Sequence, residues 1–224
     1  MIEIENLWKR YHHHIANDWV LQDINVVFPP KVSVGLIGKN GAGKSTLLRL
    51  IAGMDSPSRG VIHRRCSVSW PIGLSGGIHP MMTGRQNTKF VARVHGSENI
   101  KEIIDFVQDF AEIGDAFDQP VSTYSAGMGA RLRFGLSLAF DFDVFLSDEA
   151  TAVGDLIFRK KAEKAFKDRV GESSLIIVSH SEGILKNLCQ AGLWLHEGKA
   201  YWFDDVKDAI DAYHQNSDEK DKLK

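Results

Sequence analysis

The residues with the clearest chemical capacity are Gly38-Lys39-Asn40-Gly41-Ala42-Gly43-Lys44-Ser45, which fit the spacing G-x-x-x-x-G-K-[ST]. Glycines at these positions let backbone N–H groups turn inward around a polyphosphate. Lys44 can then reach the terminal phosphates and Ser45 can ligate Mg²⁺. The predicted cradle is Gly38, Asn40, Gly41, Ala42, Gly43, Lys44, Ser45 and Thr46. A second group lies in Asp143-Val144-Phe145-Leu146-Ser147-Asp148-Glu149, where an apolar run ends in two carboxylates. Asp148 is suited to hold the hydration shell of Mg²⁺, and Glu149 to accept a proton from an attacking water. A phosphate loop followed by such a pair predicts a P-loop nucleoside triphosphatase that uses Mg²⁺, and leaves its family open.

These groups work only if particular elements carry them. Lys31 to Ile37 reads as a strand running into the glycine loop, and Ser45 to Ala52 as the helix leaving it, stopped by Gly53. The helix N-terminus then adds its positive end to the phosphate site. Val144 to Leu146 and Leu175 to Val178 are short, continuously apolar runs, as expected of parallel strands covered on both faces. They end at Asp148-Glu149 and at His180, so both deliver polar groups to the strand ends where open α/β sheets bind ligands. Met1 to Leu7 alternates like a half-buried strand, Asp23 to Phe28 and Lys199 to Phe203 read as further strands, and Ile100 to Ala111 is an amphipathic helix opened by Ser97 and closed near Gly114. Ser217 to Lys224 is charged and apolar-poor, and is expected to fray.

Bulk properties narrow the class. A chain of 224 residues, 43% hydrophobic, can bury one core with a lobe. The net charge of -2 gives no basic field for nucleic acid or anionic lipid, so an anion site must be local. Cys66 and Cys189 lack metal-ligand spacing and read as two unpaired thiols in a reducing cytoplasm. His12, His13 and His14 read as an exposed loop, because three adjacent side chains cannot converge on one ion. No window approaches the roughly 20 apolar residues of a membrane helix, so contact with a membrane is expected to go through a partner.

Thr123-Tyr124-Ser125-Ala126-Gly127-Met128, followed by a helix over Arg131 to Ala139, resembles the signature of ABC ATPases, with Ala126-Gly127-Met128 where the usual form has Gly-Gly-Gln. The resemblance implies that Ser125 and Gly127 close over the γ-phosphate held by a second subunit. Read in isolation, Ser122 or Ser125 is equally a helix N-cap. Ala150 to Asp155 matches the D-loop, and Asp155 would communicate across the dimer. His180 resembles the switch histidine that contacts the γ-phosphate. Tyr11 resembles the aromatic that stacks on adenine, with Trp19 as the alternative. The glutamine that normally reaches Mg²⁺ after the second core strand is missing from Ser69 to Gly77, and its role is not carried to Gln86.

Together with Thr83-Gly84-Arg85-Gln86-Asn87, these stretches resemble the ATP-binding subunits of capsular polysaccharide exporters of the KpsT kind, over nearly the whole chain. The resemblance implies an α/β fold: a P-loop NTPase domain of ABC type with a RecA-like core, an antiparallel β subdomain and a helical subdomain. It places the ATPase domain at 1–216, its helical part at about 79–140 and a charged tail at 217–224. It also implies a homodimer docked under an integral membrane permease at the cytoplasmic face of the inner membrane, driving an acidic, lipid-linked polysaccharide outward. An indirect link to periplasmic and outer-membrane export proteins follows, and no nucleic acid. The segment from Trp70 to Asn87 is expected to touch the permease. The alternatives are an exporter of O-antigen or teichoic acid, many O-antigen members carrying an extra C-terminal carbohydrate-binding domain for which this chain is too short, or a soluble ABC ATPase acting on nucleic acid or the ribosome.

Overall fold

The computed structural model describes residues 1–11, 19–72, 77–148, 156–169 and 173–221. They divide into two compact units, one of Met1–Pro71, Phe142–Glu149 and Phe166–Lys224, the other of Ile72–Asp141 and Ala150–Ala165.

The first unit contains two sheets. In the smaller, β1 (Ile2–Lys9) lies between β2 (Leu21–Phe28) and β4 (Arg59–Arg64), antiparallel to both. Ile2 and Ile4 point inward, and then the parity changes so that Leu7 and Lys9 are the buried residues. A bulge accounts for the change. The β1–β2 register shifts between Ile4 and Leu7, with Asn6 at φ 47° and its N–H donating to Asn25 Oδ1 at 2.8 Å.

The larger sheet has the order β5 (Val68–Ile72), β6 (Val144–Asp148), β7 (Ser174–Val178), β3 (Val34–Ile37), β8 (Ala191–His196), β9 (Lys199–Phe203). Strands β6, β7, β3 and β8 are parallel, and β9 returns antiparallel to β8. Helix α1 (Lys44–Ile51) packs Leu47, Leu48, Leu50 and Ile51 into the core formed by Val144, Leu146, Ile176, Val178 and the inward side chains of β1. Arg64 closes its C-terminus by donating to the carbonyls of Ile51 and Leu50. Helices α6 (Glu182–Leu188) and α7 (Val206–Asp221) complete the unit. Gly192 on β8 has no room for a side chain, since a Cβ there would sit 2.4 Å from Ala209 Cβ.

The second unit is helical: α2 (Gly84–Val94), α3 (Ile100–Ala111), α4 (Ala126–Leu138) and the first part of α5 (Leu156–Arg169). Its centre is aromatic. Phe110 stacks on Phe134 at 5.7 Å, and Phe158 meets both rings edge-on at 5.8 Å.

Several boundaries differ from the sequence reading. The strand before the glycine loop begins at Val34, because Lys31 turns back at φ 60° and the N–H of Ser33 goes to a side chain, while its carbonyl accepts from Gln190 N and Ala191 N. The Ser33 N–H donates to Gln190 Oε1, and its hydroxyl accepts from Leu175 N. The N-cap of α3 is Asn99 instead of Ser97. Helix α7 runs through Ser217 to Asp221, where fraying was expected.

Both cysteines are free, as expected, and their surroundings separate them. Burial beside α7 and β3 pushes the Cys189 thiol up to about 12, whereas Cys66 is half-buried with its Sγ on the Met1 carbonyl. At pH 8 only about one Cys189 in 10⁴ is a thiolate, and the thiolate is the reactive form. Alkylation of the native protein at that pH is therefore expected to add one label, at Cys66, with the second appearing only after unfolding. Intact mass with peptide mapping reads this directly, and native labelling of Cys189 would contradict it.

Candidate nucleotide site

Three adjacent parallel strands bring their C-terminal ends to one edge. Val178 of β7 pairs with Asp148 of β6 on one side and with Leu36 of β3 on the other. At about 4.8 Å between strands, Asp148 and the end of β3 are thus about 10 Å apart across the edge. The glycine loop leaves β3 there, and His180 follows β7 by two residues.

The loop is shaped by neighbours that leave no room for side chains. A Cβ on Gly38 would lie 2.5 Å from the Leu195 carbonyl oxygen of β8, and one on Gly43 would lie 2.9 Å from Leu21 Cδ2, with φ at 97°. Gly41 turns at φ 82° in open space. Gly43 caps α1, whose first turn holds no acidic residue, so the positive end of the helix faces the loop without competition. Lys44 is 9% exposed, and its Nζ donates to the carbonyls of Gly38 at 2.7 Å and Lys39 at 2.9 Å. An ammonium held against two carbonyls of a glycine loop, beside a helix N-terminus, fits a polyphosphate site. Ser45 is exposed beside it.

The loop floors a cleft of about 1050 Å³. Its lining brings together Asn40 to Thr46 of the loop and helix start, His180, Tyr11 and Trp19. The lining also includes Gln22, Arg49 and the turn Glu197-Gly198, none of which was singled out in the sequence. The only local signal for them was the strand-to-strand turn Glu197-Gly198, where both residues have positive φ and the Gly198 carbonyl accepts from Gln22 N.

Both candidate base-stacking aromatics are thus present at the cleft. The Tyr11 hydroxyl donates to Asp55 Oδ2 at 2.9 Å and accepts from Arg49 Nη2 at 3.1 Å. Burial pushes the Asp55 carboxyl up, but hydrogen bonds from Lys9, Tyr11 and Ser56 N outweigh it and hold the group below its ordinary value. The Trp19 ring meets Trp8 edge-on at 5.1 Å and lies under the guanidinium groups of Arg10 and Arg59.

In the helical unit, Ser125 is exposed and caps α4, its Oγ accepting from Met128 N at 3.2 Å. Gly127 lies in the first turn of the same helix. Of the two serines open to a capping role, Ser125 takes it, and Ser122 sits in the short 3-10 turn Val121–Thr123. Glu149 and Asp155 lie outside the described residues, as do His12, His13 and His14.

The stretch Thr83-Gly84-Arg85-Gln86-Asn87 has a structural occupation at every position. Thr83 and Gln86 form a reciprocal capping box on α2. Gly84 is required because a Cβ would meet Tyr124 Oη at 2.6 Å. Arg85 forks onto Asp118 at 2.7 and 3.0 Å. Asn87, fully buried, donates to the carbonyls of His79, Met82 and Thr83 and accepts from His79 N. Gln86 is thus engaged in capping α2.

A phosphate loop at a parallel edge, with an antiparallel sheet in the same unit and a separate helical unit, defines an ATP-binding cassette. The fold matches solved cassettes at a TM-score of 0.80, among them the dimeric MJ0796 in a post-hydrolysis state bound to ADP and Pi, at 18% identity over 92% of this chain and 99% of that one. Residues 21–152 match the family described as ABC transporter. The polysialic acid transport ATP-binding protein KpsT of Escherichia coli is 48% identical over 96% of this chain and all of its own length. The capsule polysaccharide export ATP-binding protein CtrD of Neisseria meningitidis serogroup B is 39% identical over 96% of this chain and 99% of its own. The teichoic acids export protein TagH of Bacillus anthracis is 38% identical over 88% of this chain, but this chain covers only 36% of it. The chain belongs to the ABC transporter family, in the group that includes KpsT and CtrD.

Proposed function

We propose that this chain is the ATP-hydrolysing subunit of an ABC exporter that moves lipid-linked capsular polysaccharide across the inner membrane. What carries the reading is the phosphate cradle, set on the strand edge that also presents Asp148 and His180, in a chain that aligns with KpsT from end to end. A teichoic-acid or O-antigen cargo is the second reading, supported by the partial match to TagH.

ATP is the substrate. The amides of Gly38 to Ser45 and Lys44 Nζ take its phosphates, and Tyr11 takes the base. Ser45 Oγ and Asp148 are hard oxygen donors suited to Mg²⁺, which would supply charge neutralisation on the phosphates. Glu149, following Asp148 in the chain, accepts the proton of the attacking water, and His180 contacts the terminal phosphate from the next strand. Ser125 and Gly127 sit where a helix N-terminus offers free N–H groups, and they complete the site of a second copy of the chain, with Asp155 communicating between the two sites. ATP binding then closes the dimer because both subunits contact one γ-phosphate, and hydrolysis removes the shared contact.

No helix among the described residues is long and apolar enough to cross a membrane; in this proposal the transport path belongs to a permease partner at the cytoplasmic face. Met81, 71% exposed and held on the loop that Asn87 braces, is the most open apolar side chain among the described residues of the segment proposed to touch it. Turnover measured with the purified chain alone and with the candidate permease in lipid tests the pairing. A rise in turnover on reconstitution is expected, and no response to the permease would contradict it.

A further inference from the structure

The cleft's base end is held by a charged network that ATP chemistry alone does not require. It starts with the bulge at Asn6, which turns Lys9 inward to 7% exposure. Lys9 Nζ donates to Asp55 Oδ1 at 2.6 Å and to the Ser56 carbonyl at 2.8 Å, and lies 4.7 Å over the Tyr11 ring. Ser56 N also donates to Asp55 Oδ1, at 2.7 Å, so the carboxylate is fixed before Tyr11 reaches its other oxygen. Arg49, from the last turn of α1, supplies the remaining bond to the phenol oxygen. The hydroxyl thus gives its proton to an anion and receives one from a cation, which pins the far end of the ring while the Lys9 ammonium lies over its face.

We propose that Asp55 is a positioning residue for nucleotide binding: with Arg49 it holds the Tyr11 ring at the base end of the phosphate-loop cleft. The proposal rests on the reading of Tyr11 as the base-contacting aromatic. Asp55 is not among the residues that line the cleft, so its influence is expected on affinity for the base and not on the phosphates or the chemical step.

The test uses the full chain and measures KM and kcat for ATP, together with Ki for inorganic tripolyphosphate as a competitor that lacks a base. Asp55→Asn is expected to raise KM about 10-fold, the scale of one hydrogen bond to a charged group. kcat and the tripolyphosphate Ki are expected to stay within about twofold of wild type. Because Asp55→Asn also disturbs the buried Lys9 and can harm folding, Tyr11→Phe serves as the second variant, cutting the same bond with no change of charge. The double variant should be no worse than either single one, since both act through one contact. Asp55→Glu should recover part of the affinity.

An unchanged KM in Asp55→Asn beside a raised KM in Tyr11→Ala would overturn the positioning role and leave Tyr11 as the base contact. An unchanged KM in Tyr11→Ala would overturn both and point to Trp19. A tripolyphosphate Ki that rises in step with KM would mark general damage to the cleft and equally overturn the proposal.

Discussion

Glu149→Gln is expected to slow ATP turnover by about 10²-fold or more while leaving ATP binding nearly intact. The substitution keeps the shape and removes the base, and general-base catalysis contributes typically 10²–10⁴-fold. In the sequence it follows Asp148, the residue that ends β6 on the edge carrying the phosphate loop. A chain that binds ATP without cleaving it should remain closed with its second copy, so the variant should elute as a dimer in ATP and Mg²⁺, and the wild type should return to its starting form as ATP is consumed. Steady-state turnover and size-exclusion chromatography measure the two effects. Near-normal turnover would remove Glu149 from the role.

Lys44→Ala acts one step earlier, on binding. The ammonium is buried inside the loop against the carbonyls of Gly38 and Lys39, a position in which its charge is available to the phosphates. Charge-assisted hydrogen bonds are worth about 1.5–3 kcal/mol each, so ATP affinity should fall by about 10- to 100-fold. The fold should survive, because the α1 core rests on Leu47, Leu48, Leu50 and Ile51 and does not depend on the lysine. Equilibrium binding of ATP together with thermal unfolding separates the two effects. Unchanged affinity in a folded variant would contradict the assignment of the loop.

These groups were legible in the sequence because their chemistry fixes short spacings. The loop between Gly38 and Ser45 and the carboxylate ending the strand at Asp148 need only local chain geometry to be recognised, and parallel strands announce themselves by unbroken apolar runs. What stayed hidden depends on partners distant in the chain. The bulge at Asn6 reverses the inward face of β1 only because Asn25 on β2 receives its N–H, so nothing in the alternation of Ile2 and Ile4 announces that Lys9 will be buried. The capping box of Thr83 and Gln86 has the right local spacing, yet the need for glycine at position 84 comes from Tyr124, 40 residues away. The helical state of Ser217 to Asp221 likewise continues an amphipathic helix anchored at Val206, Ala209 and Ile210, which local composition at the tail does not display. Gln22 and Arg49 reach the cleft from β2 and from the far end of α1, and only the assembled fold brings them there.

The central claim is that ATP hydrolysis at this site drives polysaccharide out of the cell. The most direct test is to replace the chromosomal copy by Glu149→Gln and measure capsule at the cell surface against polymer retained inside. The account predicts loss of surface capsule with polymer accumulating in the cytoplasm. Normal surface capsule in cells whose purified variant has lost turnover would contradict the assigned cargo while leaving the ATPase in place.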